Sequence, residues 1–258
     1  MVAGLLEPTR GCRMKGFIVY STYEIIDEKT KIQLFGRLEN GQSFVTINTI
    51  KPYFFVKESN LKEIEKYLSD YKIEKTELKN FHGEKVVKIL AENHRDLNKV
   101  LQEIHKIDKY ESDIKPHTRF LIDNDILSTM DIEGDYETSE KVDRIYLEPR
   151  LKPLNTEFKP KLKVISLDIE SNKHLNNLFC IGLSGDKYKK VFFVTNKKLE
   201  NAVSCKNEEE VLLKFKEEIL KLDPDVIVGW NVIDFDLKYI ESLFNKYKIP
   251  FDIGRTNS

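Results

Sequence analysis

The chain has 258 residues, 40% of them apolar and 33% charged, with a formal net charge of −1. That length and apolar content suit one large domain or two modest ones, and the near-neutral charge excludes a molecule that attracts nucleic acid as a whole, leaving any DNA contact to a local groove. No apolar stretch approaches the ~18 residues of a membrane span, so no membrane partner is expected, and Cys12, Cys180 and Cys205 lack the spacing of a zinc site or disulfide framework, which fits a reducing cytoplasm.

Residues 1–13, with Gly4, Pro8 and Gly11, read as a disordered leader without the apolar core of a signal peptide, and Met14 directly precedes the first predicted strand. Strands are expected over Phe17–Tyr23, Lys31–Leu38, Ser43–Ile47 and Pro52–Val56. The second and third flank Glu39-Asn40-Gly41-Gln42, and Asn-Gly is a strong hairpin signal because both residues tolerate positive φ. Ser59 is placed to cap a helix with Leu61, Ile64 and Leu68 facing inward, and a second helix over Arg95–Ile107 carries Leu97, Val100, Leu101 and Ile104. Between them lies a predicted strand pair, Lys75–Leu78 and Val86–Leu90. This order predicts a small α+β domain with an antiparallel sheet over residues 14–150, completed by a short helix and connector at Pro116–Leu127 and a strand at Val142–Leu147. The aperiodic run Glu148–Pro160 holds three prolines and marks a linker, set at residues 151–161.

The second domain, residues 162–258, opens with three predicted strands, Lys163–Ile169, Phe179–Gly185 and Lys189–Val194. A helix follows: Asn207 caps it, Glu210 completes a capping box, and Val211, Leu212, Phe215, Ile219 and Leu222 form its buried stripe. Asp223-Pro224 stops that helix, Asp225–Val228 reads as a buried strand, and Phe235–Tyr247 as a second amphipathic helix. Three strands, helix, strand, helix is the chain order of an RNase H-like α/β fold.

In Val164–Glu170, apolar Ile165, Leu167 and Ile169 alternate with Ser166, Asp168 and Glu170, so a strand places both carboxylates on one face. Two anions that close repel unless a cation lies between them. A third carboxylate, Asp236, follows at the end of Gly229–Asp236, after another predicted strand. Such a trio suits Mg²⁺ or Mn²⁺ and phosphodiester hydrolysis. Asp234 is explained as a helix cap, and Trp230 as a core or crevice-wall residue. Phe235 suits the core beneath the helix. The histidines at 82, 94, 105, 117 and 174 have no ligand spacing and read as surface or satisfied groups, and Lys159, Lys161, Lys163, Lys187, Lys189 and Lys190 as solvated faces.

Asp168-Ile169-Glu170 and Asn231–Asp236 resemble the first two exonuclease motifs, DxE and NxxxFD, of family B DNA polymerases. Asp223–Asn231 and Gly254-Arg255-Thr256-Asn257-Ser258 are similar to archaeal and bacterial members, and Lys51-Pro52-Tyr53 and Arg119–Asp123 to the archaeal N-terminal domain. The resemblance implies an N-terminal polymerase domain followed by a partial RNase H-like 3′ to 5′ exonuclease domain. It implies that Asp168 bridges two Mg²⁺ or Mn²⁺ ions, that Glu170 holds the ion that activates water, and that Asp236 binds the second. Asn231 and Phe235 would position the terminal nucleotides of single-stranded or primer-template DNA.

The family's third exonuclease motif, YxxxD, and the palm carboxylates of nucleotide addition belong downstream of Ser258. The chain is therefore expected to be a truncated product or one piece of a split enzyme, weakly active or inactive alone, with the remaining polypeptide as partner. The resemblance also implies a uracil-sensing pocket from Tyr23, Pro52, Val86 and Arg119. Two departures stand there: Gly83-Glu84-Lys85 replaces the family's proline before Val86, and Pro116 replaces an aromatic residue before Arg119. The rival readings are a stand-alone 3′ to 5′ exonuclease and a non-catalytic single-strand-binding module.

Overall fold

The computed structural model describes residues 9–69, 71–154, 158–172, 174, 177–200 and 202–256. The chain divides into two compact units, Met1–Pro160 and Lys161–Ser258.

In the first unit, β1 (Thr9–Ile26), β2 (Lys29–Leu38) and β3 (Ser43–Ile50) form consecutive antiparallel ladders. The predicted hairpin is present; within it Gly41 takes φ 84° and donates to Leu38 O. Next come β4 (Tyr53–Lys57), α1 (Leu61–Ile64), β5 (Lys72–Lys79), β6 (Lys85–Leu90), α2 (His94–Glu103), β7 (Lys109–Tyr110) and α3 (Pro116–Asp123). The unit closes with β8 (Thr129–Glu137), β9 (Arg144–Leu147) and β10 (Arg150–Pro153). The order β1-β2-β3-β9-β8, with β8 returning to pair with β1, closes the larger sheet on itself, and β10 continues beside β9 along β8. Ile32, Leu34, Phe44, Met130, Ile132 and Tyr146 are fully buried in its core. A second sheet, β5-β6-β4-β7, packs Phe54, Val56, Val87 and Ile89 against Ile64, Leu97 and Val100 of the helices. Its ladders are antiparallel; in the larger sheet β3 and β9 run parallel.

Two predicted irregular segments are strands. Residues 9–13, read as leader, are rungs of β1, with Cys12 opposite Gly134, Arg13 opposite Glu133 and the Arg13 guanidinium donating to Asp131 at 2.5 Å. Residues 151–153, read as linker, pair with β8, Leu151 opposite Ile132 and Lys152 opposite Asp131. Both segments owe their order to one partner, β8, which itself escaped prediction because acidic residues interrupt its apolar positions. Residues 1–8 of the expected leader, 155–157 of the expected linker and the terminal Asn257-Ser258 lie outside the described residues.

Ser59 caps no helix. It lies inside a 3₁₀ turn, Glu58–Asn60, which runs directly into α1, so Asn60, the residue before α1, is already helical and lacks the extended backbone of a cap. Ile64 and Leu68 are nevertheless buried as predicted. The real cap in this region is Asn93, whose side chain accepts the Asp96 N–H at 3.0 Å and so starts α2.

The second unit contains β11 (Val164–Ser171), β12 (Leu178–Gly185), β13 (Tyr188–Val194), β14 (Val203–Cys205), α4 (Glu208–Leu222), β15 (Val226–Val228), a π-helical turn over Ile233–Leu237 and α5 (Lys238–Lys246). The sheet order is β14-β13-β12-β11-β15: the three predicted strands are antiparallel, and β15 lies parallel to β11 at one edge. Being an edge strand, β15 is half-buried to exposed, not buried as its apolar sequence predicts. Ile165, Leu167, Ile169, Ile181 and Phe192 pack with Val211, Leu212, Phe215 and Ile219 of α4 and with Ile240 and Phe244 of α5. Asn207 caps α4, accepting the Glu210 N–H at 2.9 Å, and the Glu210 carboxylate accepts the Lys206 N–H at 2.7 Å. Among the described residues no helix is long and apolar enough to cross a membrane.

Candidate active site

Strand β11 sorts its side chains as the alternation predicts. Ile165, Leu167 and Ile169 enter the core, while Ser166, Asp168 and Glu170 are exposed on the other face. Asp168 stands opposite Gly182, which adds no side chain beside it, and Glu170 stands opposite Cys180. Burial and then the neighbouring Glu170 push the Cys180 thiol up, keeping it protonated near neutral pH.

The second motif is seated by a glycine and a change of backbone hand. β15 ends at Val228, opposite Ser166. A Cβ on Gly229 would lie 2.5 Å from Leu167 O, so only glycine lets the chain pass this close to β11. Asn231 then takes φ 55°, in the left-handed region that asparagine tolerates better than most residues. The π turn follows, with Leu237 N–H reaching back to Val232 O. A π turn inserts an extra residue into a helix and commonly marks a functional site.

This path carries Asp236 inward until it is only 2% exposed. Beyond Val228 the edge of β11 is free of its parallel neighbour, and the Ile169 backbone there favours the charged form of the Asp236 carboxyl. Burial, and after it the charge of Asp168, raise the Asp236 carboxyl above its ordinary value, although its backbone hydrogen bonds oppose the shift. Asp168 and Asp236 are thus brought together. Glu170 shares the face of Asp168 but does not complete a trio: among the described residues, no three His, Cys, Asp or Glu side chains are grouped closely enough to hold a metal ion. The donor chemistry still fits a hard divalent cation, because Asp236 lies within the field of Asp168 and none of the three carboxylates forms an ion pair with a described lysine or arginine.

The rest of the motif differs from expectation in three places. Asp234 is not a cap; it lies within the π turn, exposed, and pairs with Lys238 at 2.7 Å. Trp230 is neither core nor wall, being 95% exposed. Phe235 is 42% exposed and absent from the core under α5, and Asn231 is exposed beside it.

The four residues of the expected uracil pocket lie in the first unit. Tyr23 packs against two histidines, edge-on to His94 at 5.0 Å and stacked with His117 at 5.9 Å. Contrary to expectation these histidines are not satisfied: each Nδ1 is buried without a hydrogen-bond partner, and burial lowers both pKa values. Arg119 is buried, pairs with Glu111 at 2.7 Å and lies 4.8 Å from the Tyr53 ring, while its Nε has no partner. Pro52 and Val86 are buried in and beside the second sheet.

The profile described as DNA polymerase family B, exonuclease domain, matches residues 107–258. The chain belongs to DNA polymerase family B. This family B chain is 28% identical to DNA polymerase II of Escherichia coli (strain K12), over 94% of its own length and 32% of that protein. It is 27% identical to a DNA polymerase of Archaeoglobus fulgidus, over 95% of its length and 32% of the relative. The solved structure of the family B DNA polymerase from the hyperthermophilic archaeon Pyrobaculum calidifontis superimposes with a TM-score of 0.77 at 21% identity, covering 93% of this chain and 33% of that one, a likeness that shows the fold. The chain spans about a third of the length of these relatives.

Proposed function

We propose that this chain contributes the N-terminal domain and part of the metal-dependent 3′ to 5′ exonuclease domain of a family B DNA polymerase. It would act on single-stranded or primer-template DNA together with a further polypeptide. The observation that carries this reading is the burial of Asp236 beside β11, within the field of Asp168. Asp168 and Asp236 would hold Mg²⁺ or Mn²⁺, with Glu170 as the third ligand from the same face. A bound divalent ion there supplies charge neutralisation and lowers the pKa of its water toward neutrality. The Asn231 amide and the Phe235 ring would orient the terminal nucleotides, one by hydrogen bonds and the other by stacking. With Glu170 outside the close pair, weak metal affinity and low turnover are expected of these residues by themselves.

Mn²⁺ titration followed by electron paramagnetic resonance tests the reading. The chain should bind Mn²⁺, and Asp168→Ala and Asp236→Ala should each abolish that binding. Unchanged binding in both variants refutes it. A stand-alone exonuclease would instead digest single strands robustly, and a pure binding module would hold DNA regardless of Mn²⁺.

The partnerless Nε of buried Arg119 and the aromatic surroundings of Tyr23 favour a second reading for the first unit, the uracil pocket of Tyr23, Pro52, Val86 and Arg119. Uracil-containing single strands should bind more tightly than thymine-containing ones. Equal affinity removes this reading.

A further inference from the structure

Trp230 is the only tryptophan of the chain, and it is 95% exposed. Leaving so large an apolar surface in water costs free energy that folding normally recovers by burial. The position is nevertheless rigidly specified. Gly229 is wedged against Leu167 O, one residue before Asp168 in β11, and Asn231 on the other side is held in the left-handed conformation. The backbone of Trp230 thus lies between the Gly229 contact with β11, one residue before Asp168, and the π turn that carries Asp236, and its indole is exposed. Ile233 and Phe235, from the same turn, are also exposed.

The chemistry of this rim selects its occupant. A protein surface would be met best by a continuous apolar patch, but here exposed rings alternate with the Asn231 amide and the Asp234 carboxylate. Flat rings interleaved with hydrogen-bonding groups grip nucleobases by their faces and edges. Stacking also needs no positive charge, which matters beside two carboxylates and in a chain of net charge −1. We propose that Trp230 is a stacking platform for a base of the single strand whose end enters the Asp168–Asp236 site. This rests on reading that pair as a site for a single-strand end, and it adds a nucleotide contact outside the one assigned to Asn231 and Phe235.

Because the chain has one tryptophan, its emission reports this position alone. Adding a single-stranded oligothymidylate in EDTA should quench Trp230 and shield it from acrylamide, whereas an abasic oligomer of equal length should do neither. By fluorescence anisotropy of a labelled oligomer, Trp230→Ala should weaken binding by about 5- to 150-fold and Trp230→Phe should restore most of it. An exposed side chain can be exchanged without unfolding the unit, and circular dichroism of the variants checks that. Oligothymidylate binding with unchanged Trp230 emission, equal quenching by the abasic oligomer, wild-type affinity in Trp230→Ala, or no binding at all each overturns the proposal. Asp168→Ala should keep the quenching, so loss of the metal reading and loss of the stacking reading are separate results.

Discussion

Replacing Glu208 should destabilise the second unit far more than its place on a helix surface suggests. Its carboxylate is only 13% exposed and joins three elements: it accepts the Leu178 N–H of β12 at 2.6 Å, the Tyr247 hydroxyl after α5 at 2.6 Å and the Lys246 ammonium at 3.0 Å. Glu208→Ala leaves the buried Leu178 amide and the tyrosine hydroxyl without their charged acceptor. At about 1.5–3 kcal/mol for each hydrogen bond to a charged group, discounted for non-additivity, the loss comes to about 3–5 kcal/mol. Glu208→Gln keeps an acceptor oxygen and should cost roughly 1–2 kcal/mol. Burial acts to raise the Glu208 carboxyl, but the bonds from Tyr247, Leu178 and Lys246 outweigh it and hold the group below its ordinary 4.5. Its stabilising effect is thus fully present above that value and is lost as pH falls through the depressed folded-state value. Urea denaturation followed by far-ultraviolet circular dichroism at neutral and acid pH measures both effects. A Glu208→Ala variant within about 0.5 kcal/mol of wild type at neutral pH, the range of ordinary surface changes, refutes the reasoning. So does a gap between wild type and Glu208→Gln that widens in acid.

Gly229→Ala should shift the second motif away from β11, because the new Cβ would meet Leu167 O at 2.5 Å and Val232 Cβ at 3.0 Å. A cost of about 1–3 kcal/mol in thermal melting and weakened Mn²⁺ binding are expected; unchanged values for both would show that the turn is not held by this contact. Arg255 spans Asp223 at 2.7 Å and Asp225 at 3.1 Å, and the Asp225 side chain is fully buried. Arg255→Ala should cost about 1.5–3 kcal/mol by removing the charged partner of that carboxylate, which still accepts the Lys163 N–H at 2.8 Å, and Arg255→Lys, without the planar fork, should recover less than half in the same melts.

The elements legible in the sequence were those with local signals. The Asn207–Glu210 box, the period-two alternation of β11 and the Gly41 turn each encode their geometry within a few residues, and all three appear as read. What escaped is non-local. β8 orders the segment read as leader, Arg13 opposite Glu133, and the segment read as linker, Leu151 opposite Ile132, and neither partnership shows within a window of a few residues. The site follows the same division. The alternation placed Asp168 and Glu170 on one face, but burial of Asp236 depends on a π turn and a gap at a sheet edge, neither of which has a composition signature. Trp230 was misread because a large apolar residue is expected inside, and only its position between Gly229 and the left-handed Asn231 turns it outward.

The closed sheet of the first unit fixes an order of events during synthesis. β1 can join β2 as soon as the hairpin emerges, but Arg13 waits for Asp131, 118 positions later. Contacts at such separation bear the largest loop-closure cost and form late. Until β8 arrives, the first half of β1 is an unpaired strand edge open to other chains, so the interval between the two is the vulnerable stage in making this protein.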